Sequence, residues 1–438
     1  MSIPVSLTSI PDSLLDRDAF LSGLLSRVTT KKSDGWLQDL RDGAANWVRH
    51  SVMPNTREEE WRFTDLSPLK QVDFNLGMFQ ETSLESYILP EVSQRLVFVN
   101  GVYSPDLSNI ENLPSGLIVG NLDILPGEVI QEYLAQSEGA KEVFTALNTA
   151  ALNDVAVVWV GKNVVVETPI HLLFVSVSGE SATISQPRVL VVAESNSQVT
   201  LIEEYISSSQ NEGVYFTNGV TEIWVNENAQ VSHNRVVREG NAAFHVGKTA
   251  VTQARYSRYS CNAVTVGGKI SRHNLEILQT GEQTETTLNG LTVIADNQLA
   301  DTHSALSLNH PHGVSKQLHK CIIGDRAHGV FNGKIFVPKP AQLTNASQLN
   351  RNLLLSSKSR IDTKPQLEIT ADNVKCAHGA TVSQLEDDQI FYLQSRGIDE
   401  NNARKLLVNG FAMEVINFIP VAYLRESLLK TVTSLTNK

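Results

Sequence analysis

The sequence predicts a mainly β protein in which a long strand-rich centre lies between two helical regions. Three observations indicate this plan. Apolar residues near both ends recur at the three-and-four spacing of an amphipathic helix. From about residue 95 to 370, short runs of β-branched residues alternate with Asn, Gly and Ser, which is typical of strands and turns. After about residue 155 no long helical pattern interrupts these runs, which argues against alternating strands and helices.

Residues 1 to about 50 are predicted to be helical. A first stretch places its apolar residues on one helix face, and these are Leu14, Leu15, Phe20, Leu21, Leu24 and Leu25. A second helix is predicted from Trp36 to Val48, with a stripe of Trp36, Leu37, Leu40, Ala44, Trp47 and Val48. Pro54 is expected to stop this helix, because proline does not continue a helix.

The strand signal of the centre is clearest in six apolar runs, at 155–160, 164–166, 171–177, 189–192, 220–225 and 230–237. So many strands must protect their edges, and a sandwich, a barrel or a stacked β-solenoid would each do so. The similar segments Asn-Ser-Gln-Val at 196–199 and Asn-Ala-Gln-Val at 228–231 hint at successive turns of a solenoid. Periodicity alone leaves the solenoid and the sandwich undecided.

The last sixty residues are predicted to be helical again, at 386–396, from Asp399 to about 416, and at 421–435. Gly397 stands where a helix end favours a left-handed residue, and Asp399 is a suitable N-cap for the next helix. The middle helix carries apolar or small residues at Ala403, Leu406, Leu407, Gly410, Phe411 and Met413.

Length, charge and cysteine content limit the function. A chain of 438 residues predicts two or three structural parts, and its net charge of −11 argues against nucleic-acid binding. Neither a secretory signal, a transit peptide nor an apolar membrane span is expected. Three scattered cysteines do not suggest a disulfide framework, so we expect a reducing cytoplasm.

Cys376 and His378 form the most suggestive pair of reactive side chains. They are two residues apart, so on a strand both would face one side and could bind one metal or sulfur species. For an isolated pair the simpler interpretation is favoured, in which Cys376 is a small buried apolar group and His378 a hydrogen-bonded histidine near a turn, because structural metal sites normally gather four ligands. No phosphate-binding loop occurs, so the chain is not expected to hydrolyse a nucleotide itself. A nucleophile elbow and a His-Glu-x-x-His motif are also absent from the sequence.

A second collection of histidines is a weaker candidate for a metal site. It consists of His303, His310, His312, His319 and His328, with Cys321 beside His319. The spacing is wider than in known zinc motifs, and the segment 309–313 is typical of a polar turn. Strands with polar positions therefore explain this set better than a metal centre.

Two segments resemble the SufB/SufD family of iron–sulfur cluster assembly proteins. The sequence NTREEEWRFTDL at 55–66 is similar to the N-terminal signature of the SufD branch. The sequence KCAHGAT at 375–381, followed by DDQIFYL at 387–393 and SRGI at 395–398, is similar to the C-terminal signature of the whole family. Together with the helix–strand–helix plan, the resemblance covers nearly the entire chain.

The resemblance implies a right-handed parallel β-helix core flanked by helical regions, with divisions at 1–95, 96–375 and 376–438. It implies a non-catalytic scaffold that pairs with SufB and binds the ATPase SufC through the C-terminal helical region. The complex would hold a transient iron–sulfur cluster or iron and could bind a reduced flavin. The isolated chain is expected to hold no tight cofactor and to be able to form a homodimer.

The resemblance also assigns roles to residues. His378, with Cys376 beside it, would act in cluster assembly at the SufB interface, and candidate SufC contacts are Phe391, Leu407, Phe411 and Met413. Asn350 stands where SufB carries its essential cysteine, and Gly379 where SufB carries a glutamate. These two differences favour the SufD branch.

Two other functions remain open at this point. A stand-alone metal-binding β-solenoid would use the His303–His328 region and would purify with stoichiometric metal. A polysaccharide-acting β-helix enzyme would need paired carboxylates or a basic cleft and an export signal, which the sequence does not suggest.

Overall fold

A computed structural model of the chain describes residues 17–28, 35–137, 142–179, 181–208 and 213–435. Within these residues, the strands form a parallel β-solenoid with helices at its N-terminal and C-terminal ends. The predicted mainly β fold, with a β-helix core between helical regions, is therefore confirmed. Leu14 and Leu15, which we expected in the first helix, lie outside the described residues.

The helices within the first 150 residues are α1 (Ala19–Val28), α2 (Trp36–His50), α3 (Ser67–Lys70), α4 (Gly127–Gln131) and α5 (Val143–Ala150). Helix α1 buries Leu21, Leu24 and Leu25, as its apolar spacing predicts. Helix α2 begins at Trp36 as expected, but Trp47 is 43% exposed. The reason is that α2 packs against α5 with the face that carries Arg41 and Val48, and Trp47 lies off that face.

The strands alternate between two sheets, so each turn of the solenoid adds one strand to each sheet. From β9 onward, the even-numbered strands form sheet A and the odd-numbered strands form sheet B. In chain order the strands are β1 (Asn75–Leu76), β2 (Gln94–Val99), β3 (Val102–Tyr103), β4 (Leu117–Gly120), β5 (Ala156–Val160), β6 (Ile170–Ser176), β7 (Thr183–Ser185), β8 (Arg188–Ala193), β9 (Gln198–Ser207), β10 (Tyr215–Val225), β11 (Gln230–Glu239), β12 (Phe244–Gln253), β13 (Arg258–Gly267), β14 (Ile270–Gln279), β15 (Glu285–Ile294), β16 (Leu299–Ser307), β17 (Val314–Ile323), β18 (His328–Val337), β19 (Asn345–Leu354), β20 (Arg360–Ile369) and β21 (Lys375–Gln384).

The corners of the solenoid explain the weak sequence repeat. Asn163, Asn196 and Asn228 each adopt a left-handed φ, of 62°, 62° and 56°. Asparagine tolerates this region better than most residues, because its short side chain can bond locally. The three side chains also form a ladder with two hydrogen bonds of 2.9 Å. The following segments 198–206 and 230–238 then pair in register on neighbouring turns, so the repeat does mark successive turns.

The interior of the solenoid contains polar as well as apolar side chains. Alternate residues of a strand point inward, and residues in register stack above one another. One such column on sheet B combines apolar or small residues with charged and polar ones: Leu172, Glu203, Arg235, Ala263, Gly290, His319 and Asn350. Glycines make room for the large polar members, since a Cβ at Gly290 would lie 2.0 Å from His319 Nδ1.

The solenoid ends without a covering turn. Strand β20 is the last of sheet A and β21 the last of sheet B, and helix α6 (Asp387–Ser395) follows β21. Inward-facing side chains of β19 are buried, whereas most of those on β21 are exposed. The division at residues 96 and 376 stays a prediction, and β21 itself continues past residue 376 to Gln384.

The C-terminal helices follow their predicted caps. Gly397 has a φ of 87°, and the Asp399 side chain accepts a hydrogen bond of 3.1 Å from the Asn402 backbone N–H. Helices α7 (Glu400–Ile416) and α8 (Ala422–Leu435) then cover the outer face of sheet B, where Ala412 packs in one apolar cluster with Leu291. In the described part of the chain, no helix has the length and hydropathy needed to cross a membrane.

Gly290→Ala tests the packing of the polar interior. His319 cannot move away from the added methyl group, because its buried ring stacks on Phe331 at 4.7 Å between centroids. We expect the free energy of unfolding in urea to fall by about 1–3 kcal/mol, which is typical of overpacking. The control is Gly43→Ala in α2, where a Cβ meets no atom within 4 Å. If the two variants have the same free energy of unfolding, the inference that His319 packs tightly against Gly290 is wrong.

Candidate functional site

Cys376 and His378 lie on the inner face of β21. They pair in register with Ala346 and Gln348 of β19, both of which are buried inside the solenoid. Residues that pair in register on parallel strands point to the same side, so Cys376 and His378 also face inward. The thiol and the imidazole therefore share one face of the last strand, beside the open end.

The two side chains differ in their exposure. Cys376 is half-buried against the apolar interior, and this burial raises the pKa of its thiol. A protonated thiol is a poor metal ligand and a poor nucleophile. His378 is exposed, because helix α6 rather than another turn follows β21. Of the two groups, the His378 ring is the one that a ligand or partner protein can reach.

The open end does not contain a complete metal site. In the ranges that the structure describes, no group of three His, Cys, Asp or Glu side chains is arranged so that it could hold a metal ion. An iron atom bound by His378 would therefore need its other ligands from a second molecule or from solvent.

The histidines of the His303–His328 region are not brought together. His319 and Cys321 are buried inside the solenoid, where burial lowers the pKa of His319 to about 3 and raises that of Cys321 to about 12. His328 lies on the outer face of sheet A, with Nε2 2.7 Å from the Asp362 carboxylate. His310 belongs to the turn after β16, as the sequence predicts for segment 309–313.

The N-terminal signature segment 55–66 lies across the outer face of sheet A. The Arg272 guanidinium lies 3.8 Å from the centre of the Trp61 ring, within the range of a cation–π contact. Arg272 Nη1 also donates to the Glu60 carbonyl at 2.8 Å and to the Asp301 carboxylate. Thr64 Oγ1 donates to the same carboxylate at 2.5 Å. These contacts fasten the signature segment to β14 and β16.

His303 completes this clamp between the segment and sheet A. Its Nδ1 lies 3.0 Å from Glu60 Oε2, and its Nε2 lies 3.0 Å from Asp301 Oδ1. Burial alone would lower the pKa of His303, but the Asp301 and Glu60 carboxylates raise it above its ordinary value. Burial would likewise raise the pKa of Asp301, but Arg272 and His303 lower it to about 2.

The predicted SufC contacts fall into two groups. Phe391 is 71% exposed and Met413 is also exposed, so both are available to a partner. Phe411 instead faces the solenoid, where the buried Lys320 ammonium lies 3.9 Å from the centre of its ring. Leu407 is half-buried. Phe411 therefore helps to hold α7 on sheet B.

The same helical region exposes apolar side chains that the predicted set omits. They are Tyr392, Leu406, Phe418 and Tyr423. Leu406 was expected in the apolar stripe of α7, but Ala403, Val408, Ala412, Val415 and Ile416 form the buried face. The apolar spacing of α7 was ambiguous, because both of its faces carry apolar residues.

Comparisons with known proteins give one consistent result. The model described as the SufBD protein N-terminal region matches residues 25–172, and the model of the SufBD core domain of SUF-system FeS cluster assembly matches residues 174–411. The chain is 48% identical to the SufBD family protein slr0076 of Synechocystis sp. over 92% of both chains. It is 35% identical to the chloroplastic protein ABCI7 of Arabidopsis thaliana, over 89% of this chain and 84% of that protein. Identity to SufD of Escherichia coli is 32%, over 86% of this chain and 88% of that protein.

The clamp predicts that wild type is more stable than the His303→Gln variant by an amount that depends on pH. Because folding raises the pKa of His303, its charged ring stabilises the fold fully below the unfolded pKa of about 6.5. This stabilisation is lost as the pH rises through the folded pKa. We therefore expect wild type to be more stable than His303→Gln near pH 6, with a gap that narrows from about pH 6.5 upward. Urea unfolding at stepped pH measures this gap, and His310→Gln, on the turn after β16, is the control variant.

Proposed function

Because this chain belongs to the SufBD family of SUF-system iron–sulfur cluster assembly proteins, we propose that it is a SufD-type scaffold subunit. In this proposal the chain has no catalytic centre of its own, pairs with SufB and binds the ATPase SufC. The observation that carries the proposal is the position of His378 on the uncovered last strand of the solenoid.

The open end of the solenoid supports pairing with SufB. Strands β20 and β21 each pair with a single neighbouring strand in the described chain, so their outer edges present backbone N–H and C=O groups. A strand from another subunit can add to such an edge. The same surface would join two copies of this chain in the predicted homodimer.

His378 supports a role in iron entry or cluster formation at that interface. A neutral imidazole is a good ligand for iron, which is here the substrate of assembly. The sulfur-accepting thiol would come from SufB. Asn350, at the position expected for that thiol, is fully buried, and its side chain bonds to the His319 carbonyl at 3.1 Å and to Thr363 at 2.7 Å.

Helix α6 and the exposed side of α7 support the binding of SufC. Phe391 and the neighbouring Tyr392 project from α6, and exposed aromatic residues are common anchors of protein interfaces. Removing the helices altogether is a poor test of this surface. Helices α7 and α8 cover apolar residues of sheet B, so a truncation near Arg396 would also destabilise the solenoid.

Three further parts of the hypothesis stay predictions. The complex could bind a reduced flavin, which the absorption spectrum of the purified complex would reveal on oxidation. The isolated chain is expected to purify without a tightly bound metal or cofactor. The three cysteines are free thiols, which supports a reducing cytoplasm.

His378→Ala tests the proposed site. We expect the rate of cluster formation by the SufB–SufC–SufD complex to fall at least about tenfold, because a ligand for incoming iron is lost. The three subunits should still co-purify, since the exposed ring makes little contribution to the fold. Iron- and sulfide-dependent absorption during reconstitution measures the rate.

His310→Ala is the matched control for this experiment. His310 lies in a turn away from β21, so its removal should leave the rate unchanged. A His378→Ala complex that assembles clusters at the wild-type rate would contradict the role of this ring.

Phe391→Ser tests the SufC surface. We expect the dissociation constant for SufC to rise about tenfold, or about 1.4 kcal/mol, if the ring fills a pocket of the partner. Calorimetric titration of SufC into the SufD-type chain measures it. Phe79→Ser, at a ring that is 46% exposed in the N-terminal region, serves as control. Equal affinities for the two variants would place the SufC surface elsewhere.

A further inference from the structure

A buried hydrogen-bond acceptor without a partner lies in register beneath His378. Gln348 of β19 is 2% exposed and pairs with His378 of β21. Its side-chain Oε1 is buried and has no hydrogen-bond partner among the described residues. Most buried polar atoms in native proteins are paired, so an unpaired one indicates strain, a missing partner or a functional role.

Gln348 ends a line of polar side chains that crosses the interior. Its Nε2 donates to Gln317 Oε1 at 2.8 Å, and Gln317 Nε2 donates to Ser304 Oγ at 2.7 Å. Each of the two glutamines donates a hydrogen bond from its amide N–H₂ group to the next residue of this line. Oε1 of Gln348 is therefore left as the terminal acceptor, and the next side chain in register is His378.

The fold leaves space for this glutamine. A Cβ at Gly333 of β18 would lie 2.2 Å from Gln348 Nε2, so a larger residue there would displace the amide. Phe331, which is fully buried, borders the same space. An apolar side chain would fill this volume without leaving an oxygen unpaired, so packing alone does not explain a glutamine here.

We propose that Gln348 is a positioning residue for His378, an inference that rests on the proposed function of that ring. Gln348 Oε1 accepts the N–H of one ring nitrogen, which fixes the tautomer and leaves the lone pair of the other nitrogen for iron. Histidines that bind metals commonly donate their second N–H to such an acceptor. The bond forms when SufB covers β21 and the exposed ring turns inward, since neighbouring strands lie only about 4.8 Å apart.

Two substitutions at Gln348 separate positioning from packing. Gln348→Met keeps the shape but removes the acceptor, whereas Gln348→Glu keeps an oxygen acceptor and introduces a buried carboxylate. Packing alone predicts that the Met variant is the better tolerated, because burying a carboxylate is costly. Positioning predicts the opposite order for cluster formation and Co²⁺ affinity. Gln348→Glu should stay near wild type in both, and Gln348→Met should lower both by about 10- to 100-fold.

The readouts are cluster formation by the SufB–SufC–SufD complex and, independently, Co²⁺ affinity of the same complex from its visible absorption bands. Urea unfolding of each variant records the effect on packing. Gln366→Met, on the outer face of β20, is the matched control and should change neither readout.

The outcomes distinguish the two levels of the proposal. If His378→Ala lowers both readouts but Gln348→Met does not, the positioning role is wrong and the proposed function stands. If His378→Ala changes neither readout, both are wrong. A loss in Gln348→Met that Gln348→Glu restores, while the Met variant is the more stable protein, supports the positioning role.

Discussion

In-register pairing between successive parallel strands is the constraint on which the rest of this structure depends. Each inward side chain must fit the residue directly above it and the residue directly below it. This explains why Gly290 stands beneath His319, where any Cβ would collide with the ring. The same stacking aligns the asparagines at the corners. It also means that no following turn pairs with the last one in the described chain, and this leaves His378 exposed.

The polar interior follows from the same constraint. A buried amide or imidazole is tolerated only with a hydrogen-bond partner, and stacked turns supply partners at regular intervals. His319 has such a neighbourhood, and burial keeps its ring neutral. His378 occupies a similar inward position but lacks a following turn. Both histidines therefore face inward from their strands, but only one ring can be reached by a ligand. Its position along the solenoid decides which one that is.

Local patterns in the sequence were sufficient to predict most of the local structure. The exceptions are the apolar run 164–166, which forms only an isolated bridge, and Trp47 and Leu406, which lie off the buried faces of their helices. The caps at Gly397 and Asp399, the asparagine turns and the apolar strand runs each depend on residues a few positions apart. Contacts between distant segments could not be predicted in this way. Nothing near Trp61 indicates that Arg272 will stack on its ring. Phe391 and Phe411 likewise look equivalent in the sequence, and only the packing of α7 on sheet B separates the exposed ring from the covered one.

The clamp at the N-terminal signature has a consequence for synthesis of the chain. Glu60 is separated by 212 residues from Arg272 and by 243 residues from His303. On the ribosome, the signature segment therefore emerges long before the strands that hold it, and contacts of such long range form late in folding. The solenoid can grow turn by turn as it is translated, because each strand pairs with one made shortly before. The N-terminal segment must wait until β16 has been added, so its docking marks the point at which most of the scaffold is already built.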